Sequence, residues 1–257
     1  MSKLLQFPDS MLLRAEWGGR QDPLDQQIDS VWECWEGFNE EGDFLANTWY
    51  LLDNELVPLP TIEDISKVMT KQYRQDSSSL FAFTQNTYSE GPDAPPTASM
   101  SLQPARPRGG RMLVANQVVV RLQAGMDGQG EVVNHLPTKW LLDIGTRLVT
   151  TFINVWHPDM VSLDCGALMR VPHFPDGPYP VVGFVSWLSD SVVDHRLLPD
   201  APIKQRYNSG TIIGICPDSP DPLKDAIELA ESVYQAGILS MIPFVQGQPN
   251  PPLGASK

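Results

Sequence analysis

The side chains best suited to chemistry lie near the middle of the chain, in and after a tryptophan–histidine–proline–aspartate sequence. His157 and Asp159 belong to that sequence, and Cys165 follows shortly afterwards. A histidine can act as a general base, and a cysteine paired with a histidine can act as a nucleophile. These mechanisms also need a third group that orients the base, and closeness in sequence does not supply it. A small hydrolase using these three residues is therefore a hypothesis that requires their side chains to converge in the fold.

The sequence contains no motif for a metal or a cofactor. The spacings CxxC, HxxxH and HExxH, which bring metal ligands together, do not occur. Neither do the glycine loops GxGxxG and GxxxxGK that bind phosphates, nor the nucleophile motif GxSxG. We therefore expect no cofactor and no metal site.

Acidic residues are concentrated on one predicted helix near the N-terminus. The chain has 18 Lys+Arg against 31 Asp+Glu, a net charge of −13, which argues against direct nucleic-acid binding. Asp22-Pro23 predicts the helix start, with the carboxylate at the N-cap and proline at the first helical position. At about 100° per residue, five carboxylates fall within about 80° of arc. They form what we name the acidic ridge: Asp25, Asp29, Glu33, Glu36 and Glu40.

The acidic ridge has an ordinary and a functional interpretation. A run of charge is usually a solvated helix face. However, like charges four residues apart destabilise a helix slightly, so the spacing is unexpected if it serves nothing. The functional interpretation is a docking surface for a basic protein. Trp17 and Trp35 lie in the same region, and an exposed aromatic residue beside the carboxylates would be a suitable anchor.

The element expected to organise the fold is an apolar helix from Thr138 to Trp156. Thr138 is its predicted N-cap, and His157-Pro158 ends it because the residue before proline avoids helical geometry. A strand from Met160 to Cys165 follows, with Ser162 and Asp164 predicted on its polar side.

The remaining pattern favours an α+β domain with a mixed or mostly antiparallel sheet and helices packed on it. Asn208-Ser209-Gly210 predicts a hairpin, and Asp221-Pro222 begins a last helix that Gly237 ends. We expect one domain over residues 1–245. Within it, residues 89–111 are rich in proline and glycine and are predicted to be a mobile loop. Residues 246–257 are predicted to be a disordered tail.

Cysteine usage and hydropathy favour a cytoplasmic protein. Three cysteines, an odd number far apart, fit reduced thiols better than disulfides. Cys165 and Cys216 lie in apolar patterns, where a thiol usually serves as inert packing. No apolar run approaches the roughly 18 residues of a membrane span, and the first residues do not resemble a signal peptide.

Taken in order, these elements resemble the immunity protein 52 family of bacterial polymorphic toxin systems. The similarity extends from about Leu12 to Met241. It departs at Glu16, where an aromatic residue is expected, and in the 89–111 insertion. The features that carry it are a strand ending at Trp17-Gly18 with Arg20 nearby, an early acidic residue in the next helix, Trp156-His157-Pro158-Asp159, the strands Gly183–Leu188 and Ser209–Ile215, and the helix Leu223–Leu239.

The resemblance implies a non-enzymatic immunity protein that neutralises a cognate toxin carrying a restriction-endonuclease-like nuclease domain. Such toxins are often delivered by a type VI secretion system, and protection against a nuclease takes place in the cytoplasm. A nuclease presents positive charge to its substrate, so an acidic partner can bind that surface. The alternative is an acidic secretion chaperone or adaptor for an effector.

Overall fold

A computed structural model of the protein describes residues 7–18, 22–41, 45, 49–53, 55–59, 61–75, 81–85, 93–103, 107–108, 111–112, 116–171 and 179–242. The helices are α1 Leu24–Asn39, α2 Ile62–Gln75, α3 Thr138–Asp143, α4 Gly145–Trp156 and α5 Pro222–Gln235. The strands are β1 Ser10–Trp17, β2 Trp49–Asp53, β3 Glu55–Pro58, β4 Phe81–Gln85, β5 Thr97–Gln103, β6 Pro107–Arg108, β7 Arg111–Met112, β8 Asn116–Gln123, β9 Gly125–Met126, β10 Val132–Asn134, β11 Met160–Asp164, β12 Val185–Ser189, β13 Ile203–Tyr207 and β14 Gly210–Gly214. The predicted tail, residues 246–257, lies outside the described residues.

Ten of the described strands form one sheet, in the order β13-β14-β12-β11-β1-β8-β5-β4-β2-β3. Every neighbouring pair in it is antiparallel. The first strand lies in the middle of the sheet, because β1 pairs with β8 on one side and β11 on the other. The predicted α+β class with a mostly antiparallel sheet is confirmed.

Part of the segment predicted to be a mobile loop is a strand inside this sheet. β5 pairs with β4 and β8, and its alternate residues Ala98, Met100 and Leu102 are buried. The prediction for residues 89–111 is therefore wrong over Thr97–Gln103. Small polar residues separate the three apolar ones, so the composition resembled a loop while the alternation was that of a strand.

The helix predicted over residues 138–156 is two helices, since α3 ends at Asp143 and α4 begins at Gly145. A side chain at Gly145 would come within 3.1 Å of Leu163 and Val185, so glycine lets α4 lie close to β11 and β12. The N-cap is Pro137 and not Thr138, whose hydroxyl donates to the Pro8 carbonyl at 3.1 Å. The predicted end is confirmed, because His157 turns left-handed with φ 43°.

β11 is buried on both faces, contrary to the predicted alternation. Successive strand residues face opposite sides, so Asp164 faces away from Leu163 and α4. There it lies near Tyr234 of α5, whose pKa is raised by burial and further by the charge of Asp164. The prediction missed this because α5 comes much later in the chain. As a result Ser162 and Asp164 are fully buried.

The C-terminal elements match their predictions. Asn208, in the predicted turn between β13 and β14, has φ 48°. The Asp221 carboxylate accepts from the Lys224 amide at 3.2 Å and caps α5, and Gly237 has φ 65° just after that helix. No helix in the described part of the chain is long and apolar enough to cross a membrane.

Candidate partner-binding surface

Helix α1 buries one side and presents the acidic ridge on the other. All five ridge carboxylates are exposed. The buried residues are Gln27, Ile28, Ser30, Val31, Cys34, Trp35 and Phe38. The ridge therefore exists at the protein surface, on a helix whose other side belongs to the core.

The start of α1 differs from the prediction. Pro23 is the N-cap, and no side chain caps the helix. The Asp22 carboxylate instead accepts from the Trp17 indole N–H at 3.0 Å. This bond links the end of β1 to the residue just before the N-cap of α1. Asp25 lies in the first turn of α1, where a negative charge interacts favourably with the helix dipole.

Aromatic stacking fixes α1 against the rest of the fold. Trp35 stacks on Trp49 of β2, with ring centroids 5.3 Å apart. Phe38 packs against Phe152 of α4 at 6.0 Å. Beyond the helix end, the Arg147 guanidinium donates to both Glu41 oxygens, at 2.8 to 3.0 Å. The ridge is thus mounted on a helix held by both the sheet and α4.

The ridge carboxylates are not neutralised by the described neighbours. No ion pair joins any of the five to another described residue. Some carboxylates elsewhere outside the core do have local partners within the chain. Arg206 donates to Asp190 at 2.6 and 2.7 Å, and Arg196 lowers the pKa of Asp194 to about 2 through their hydrogen bonds. The ridge is left with its charge available to another molecule.

Trp17 and Trp35, named as anchors from the sequence, lie in the core. They are 2% and 3% exposed, and Trp17 stacks on Trp156 at 5.6 Å. Neither indole is presented at the surface, so neither residue belongs to the candidate binding surface. Trp32 is the aromatic residue of α1 that is only partly buried. At about 100° per residue it lies beside Asp25, at the edge of the ridge, and that spacing is the signal that could have identified it.

A groove lies between the ridge and helix α2. Its volume is about 260 Å³. Thr61 caps α2, since its hydroxyl accepts from the Asp64 amide at 3.2 Å. The residues that line this α1–α2 groove are Asp25, Ile28, Asp29, Ile62, Glu63 and Ser66.

The residues of the hydrolase hypothesis do not converge. Asp159 accepts from the Gly18 amide and from the Ser191 hydroxyl, each at 2.9 Å. Cys165 lies at the other end of β11, about 20 Å away at about 3.3 Å per residue. The corner around Asp159 therefore ties the ends of β1 and β12 together, which is a structural role.

The thiols behave differently from one another. Burial raises the pKa of Cys34 and of Cys165, so both favour the unreactive protonated form. Cys216 is exposed, and its predicted role in packing is wrong. It follows β14, beyond the last residue that pairs with a neighbouring strand.

A buried ion pair in the sheet was not anticipated from the sequence. The Arg14 guanidinium donates to the two Asp164 oxygens at 3.1 and 3.0 Å, and the Ser162 hydroxyl donates to Asp164 at 2.6 Å. Burial acts to lower the pKa of Arg14, but Asp164 and Glu16 outweigh it and raise the pKa. The available signal was Arg14 between Leu13 and Ala15, in a strand whose one other charged residue is Glu16.

No family model matches the chain. No curated protein matches it either. Among solved structures, the Pseudomonas aeruginosa T6SS protein PA0821 is similar, with a TM-score of 0.46 and 11% identity over 88% of this chain and 74% of that one. A likeness of this size assigns neither a family nor a function. Membership of the immunity protein 52 family stays a prediction.

Proposed function

We propose that this chain is an immunity protein that binds a cognate nuclease toxin through the acidic ridge and thereby inhibits it. The observation that carries the proposal is the state of the ridge: five exposed carboxylates on one helix, none paired with a described residue. A nuclease must carry a positive surface to bind phosphates. A complementary acidic surface accelerates association with it and competes with DNA for the same charges.

The support of α1 suits tight binding. Its inner side packs on β2 and α4 through stacked rings. A surface that is already ordered loses less conformational entropy on association than a flexible one. In this account the protein needs no catalytic step. It acts in the cytoplasm of the cell that makes it, where a nuclease delivered by type VI secretion would attack DNA.

The direct test reverses ridge charges and measures binding to the cognate nuclease toxin. The test variant carries Asp29→Lys, Glu33→Lys and Glu36→Lys. The matched control carries Glu131→Lys, Asp200→Lys and Glu231→Lys, three exposed carboxylates elsewhere. Both change the net charge equally, so a difference between them reports position. We expect the ridge variant to lose at least about 100-fold in affinity, or about 2.8 kcal/mol, together with nuclease inhibition and cell protection.

Equal affinities for the two folded variants would reject the ridge as the binding surface. A secretion chaperone or adaptor gives a different outcome in the same experiment. It would bind the effector through an acidic surface and leave the nuclease active. Nuclease activity measured with saturating protein therefore separates the two functions.

A further inference from the structure

We propose that the α1–α2 groove receives an arginine side chain of the partner. This inference rests on the proposed function and specifies how the ridge would engage a basic protein. The groove has two walls, with Asp25 and Asp29 on α1 and Glu63 on α2. A cation seated between them would meet carboxylates from both helices.

The floor of the groove is apolar. Ile28 is 6% exposed and belongs to the core, and Ile62 is partly buried against it. Arginine and lysine have aliphatic stems that pack on apolar surface while the charged group stays near water. An apolar floor below acidic walls is complementary to such a side chain along its whole length.

The size of the groove favours a single side chain over a small-molecule ligand. Its volume of about 260 Å³ lies below the roughly 300–1,000 Å³ of typical ligand pockets. Arginine fits better than lysine, because its planar guanidinium presents several N–H donors in a fixed fork and can bridge separate carboxylates.

The favourable effect of negative charge at a helix N-terminus explains only part of the placement of these carboxylates. Asp25 and Glu63 lie in the first turns of their helices, where negative charge is favourable. Asp29 lies one turn further along α1, where that effect has largely faded. It also stands four residues from Asp25 and from Glu33, at a spacing that repels. Asp29 is therefore the residue whose position is best explained by an incoming cation.

A neighbouring depression gives the bound segment a direction. It shares Ser66 with the α1–α2 groove and is otherwise lined by Lys67, Thr70, Lys71 and Arg74. The surface along α2 therefore changes from acidic to basic. A partner segment with an arginine over the groove would gain from an acidic residue next along α2.

The test titrates the full chain with Nα-acetyl-arginine amide and follows backbone amide NMR shifts. Nα-acetyl-citrulline amide has nearly the same shape without the charge and is the matched probe. We expect arginine to shift residues 25–29 and 62–66 with millimolar affinity, and citrulline to bind at least about fivefold more weakly. Asp29→Asn should weaken arginine binding by up to about fivefold. The triple variant Asp25→Asn, Asp29→Asn and Glu63→Gln should abolish it. Glu231→Gln on α5 should have no effect.

Two results would overturn the inference. One is equal binding of citrulline, and the other is arginine shifts as large around Glu231 as in the groove. The outcome is separable from that of the proposed function. If arginine binds in the groove but the protein leaves the nuclease active, the proposed immunity function is rejected and the arginine site is supported. If the triple groove variant still inhibits the nuclease fully, the immunity function is supported and the arginine site is rejected.

Discussion

The protein holds carboxylates in two contrasting environments. Asp164 lies inside the fold with no exposed surface, and Arg14 and Ser162 satisfy both of its oxygens. The acidic ridge lies on α1, where all five side chains are exposed and none pairs with a described residue. The same chemical group is paired within the molecule at Asp164, and in the ridge it is not paired with any described residue.

The difference shows what each set of charges can contribute. A buried charge costs several kcal/mol of desolvation and persists only if it is paired where it lies. The residue that pairs with it is therefore part of the fold, and removing either member of the pair lowers the free energy of unfolding. An exposed carboxylate costs little and contributes little within the chain. Its effect appears when a second molecule supplies the positive charge, so its removal should act on binding.

The largest expected effect comes from breaking the buried pair. Arg14→Met leaves the Asp164 carboxylate buried without its cation, and we expect the free energy of unfolding to fall by about 3–5 kcal/mol. The double variant Arg14→Met with Asp164→Leu replaces the pair with apolar groups and should recover most of that loss. Urea denaturation of the two variants and the native protein measures both changes. An Arg14→Met protein as stable as the native one would contradict this role.

An intermediate effect is expected at Asp159, which is only partly buried. Asp159→Ala removes the acceptor for the Gly18 amide and the Ser191 hydroxyl. We expect a loss of about 1–3 kcal/mol, mainly because the buried Gly18 amide loses its acceptor, whereas the exposed Ser191 hydroxyl can bond to water. Asp159→Asn keeps one oxygen acceptor and should lose less. Thermal unfolding of the two variants gives the comparison, and equal losses would show that the hydrogen bonds are not responsible.

The smallest effect on stability is expected in the ridge. Neutralising it with Asp29→Asn, Glu33→Gln and Glu36→Gln should leave the free energy of unfolding within about 0.5 kcal/mol per site. The change should be toward higher stability, because repulsion at i, i+4 spacing is relieved. Denaturation at low and high salt tests this, since salt should stabilise the native protein more than the variant. A large destabilisation would assign the ridge a role in folding.

Local sequence patterns predicted most of the elements correctly. The cap at Asp221, the turn at Asn208 and the helix end at His157 each depend on a few adjacent residues, whose geometry is fixed by short-range contacts. The face of α1 that carries Asp29 was predictable for the same reason. Helical spacing alone separates it from Phe38.

The errors arose where distant segments decide the environment. Asp164 was assigned to the polar side of its strand, and its burial was missed because α5, which lies near it, comes much later in the chain. Thr97–Gln103 was assigned to a loop because its two neighbours in the sheet, β4 and β8, were not known to flank it. Trp35 was proposed as an anchor although Trp49 covers it. In each case the residues themselves gave no sign of which distant segment would lie against them.

The most direct test of the central claim is the association rate with the nuclease toxin as a function of ionic strength. Charges that steer association raise the rate constant at low salt and lose that effect as salt increases. For the native protein we predict a steep fall with salt. For the variant with Asp29→Lys, Glu33→Lys and Glu36→Lys we predict a slower association with little salt dependence. The control with Glu131→Lys, Asp200→Lys and Glu231→Lys should retain most of the native slope. Identical rates and slopes for the two charge-matched variants would contradict the account.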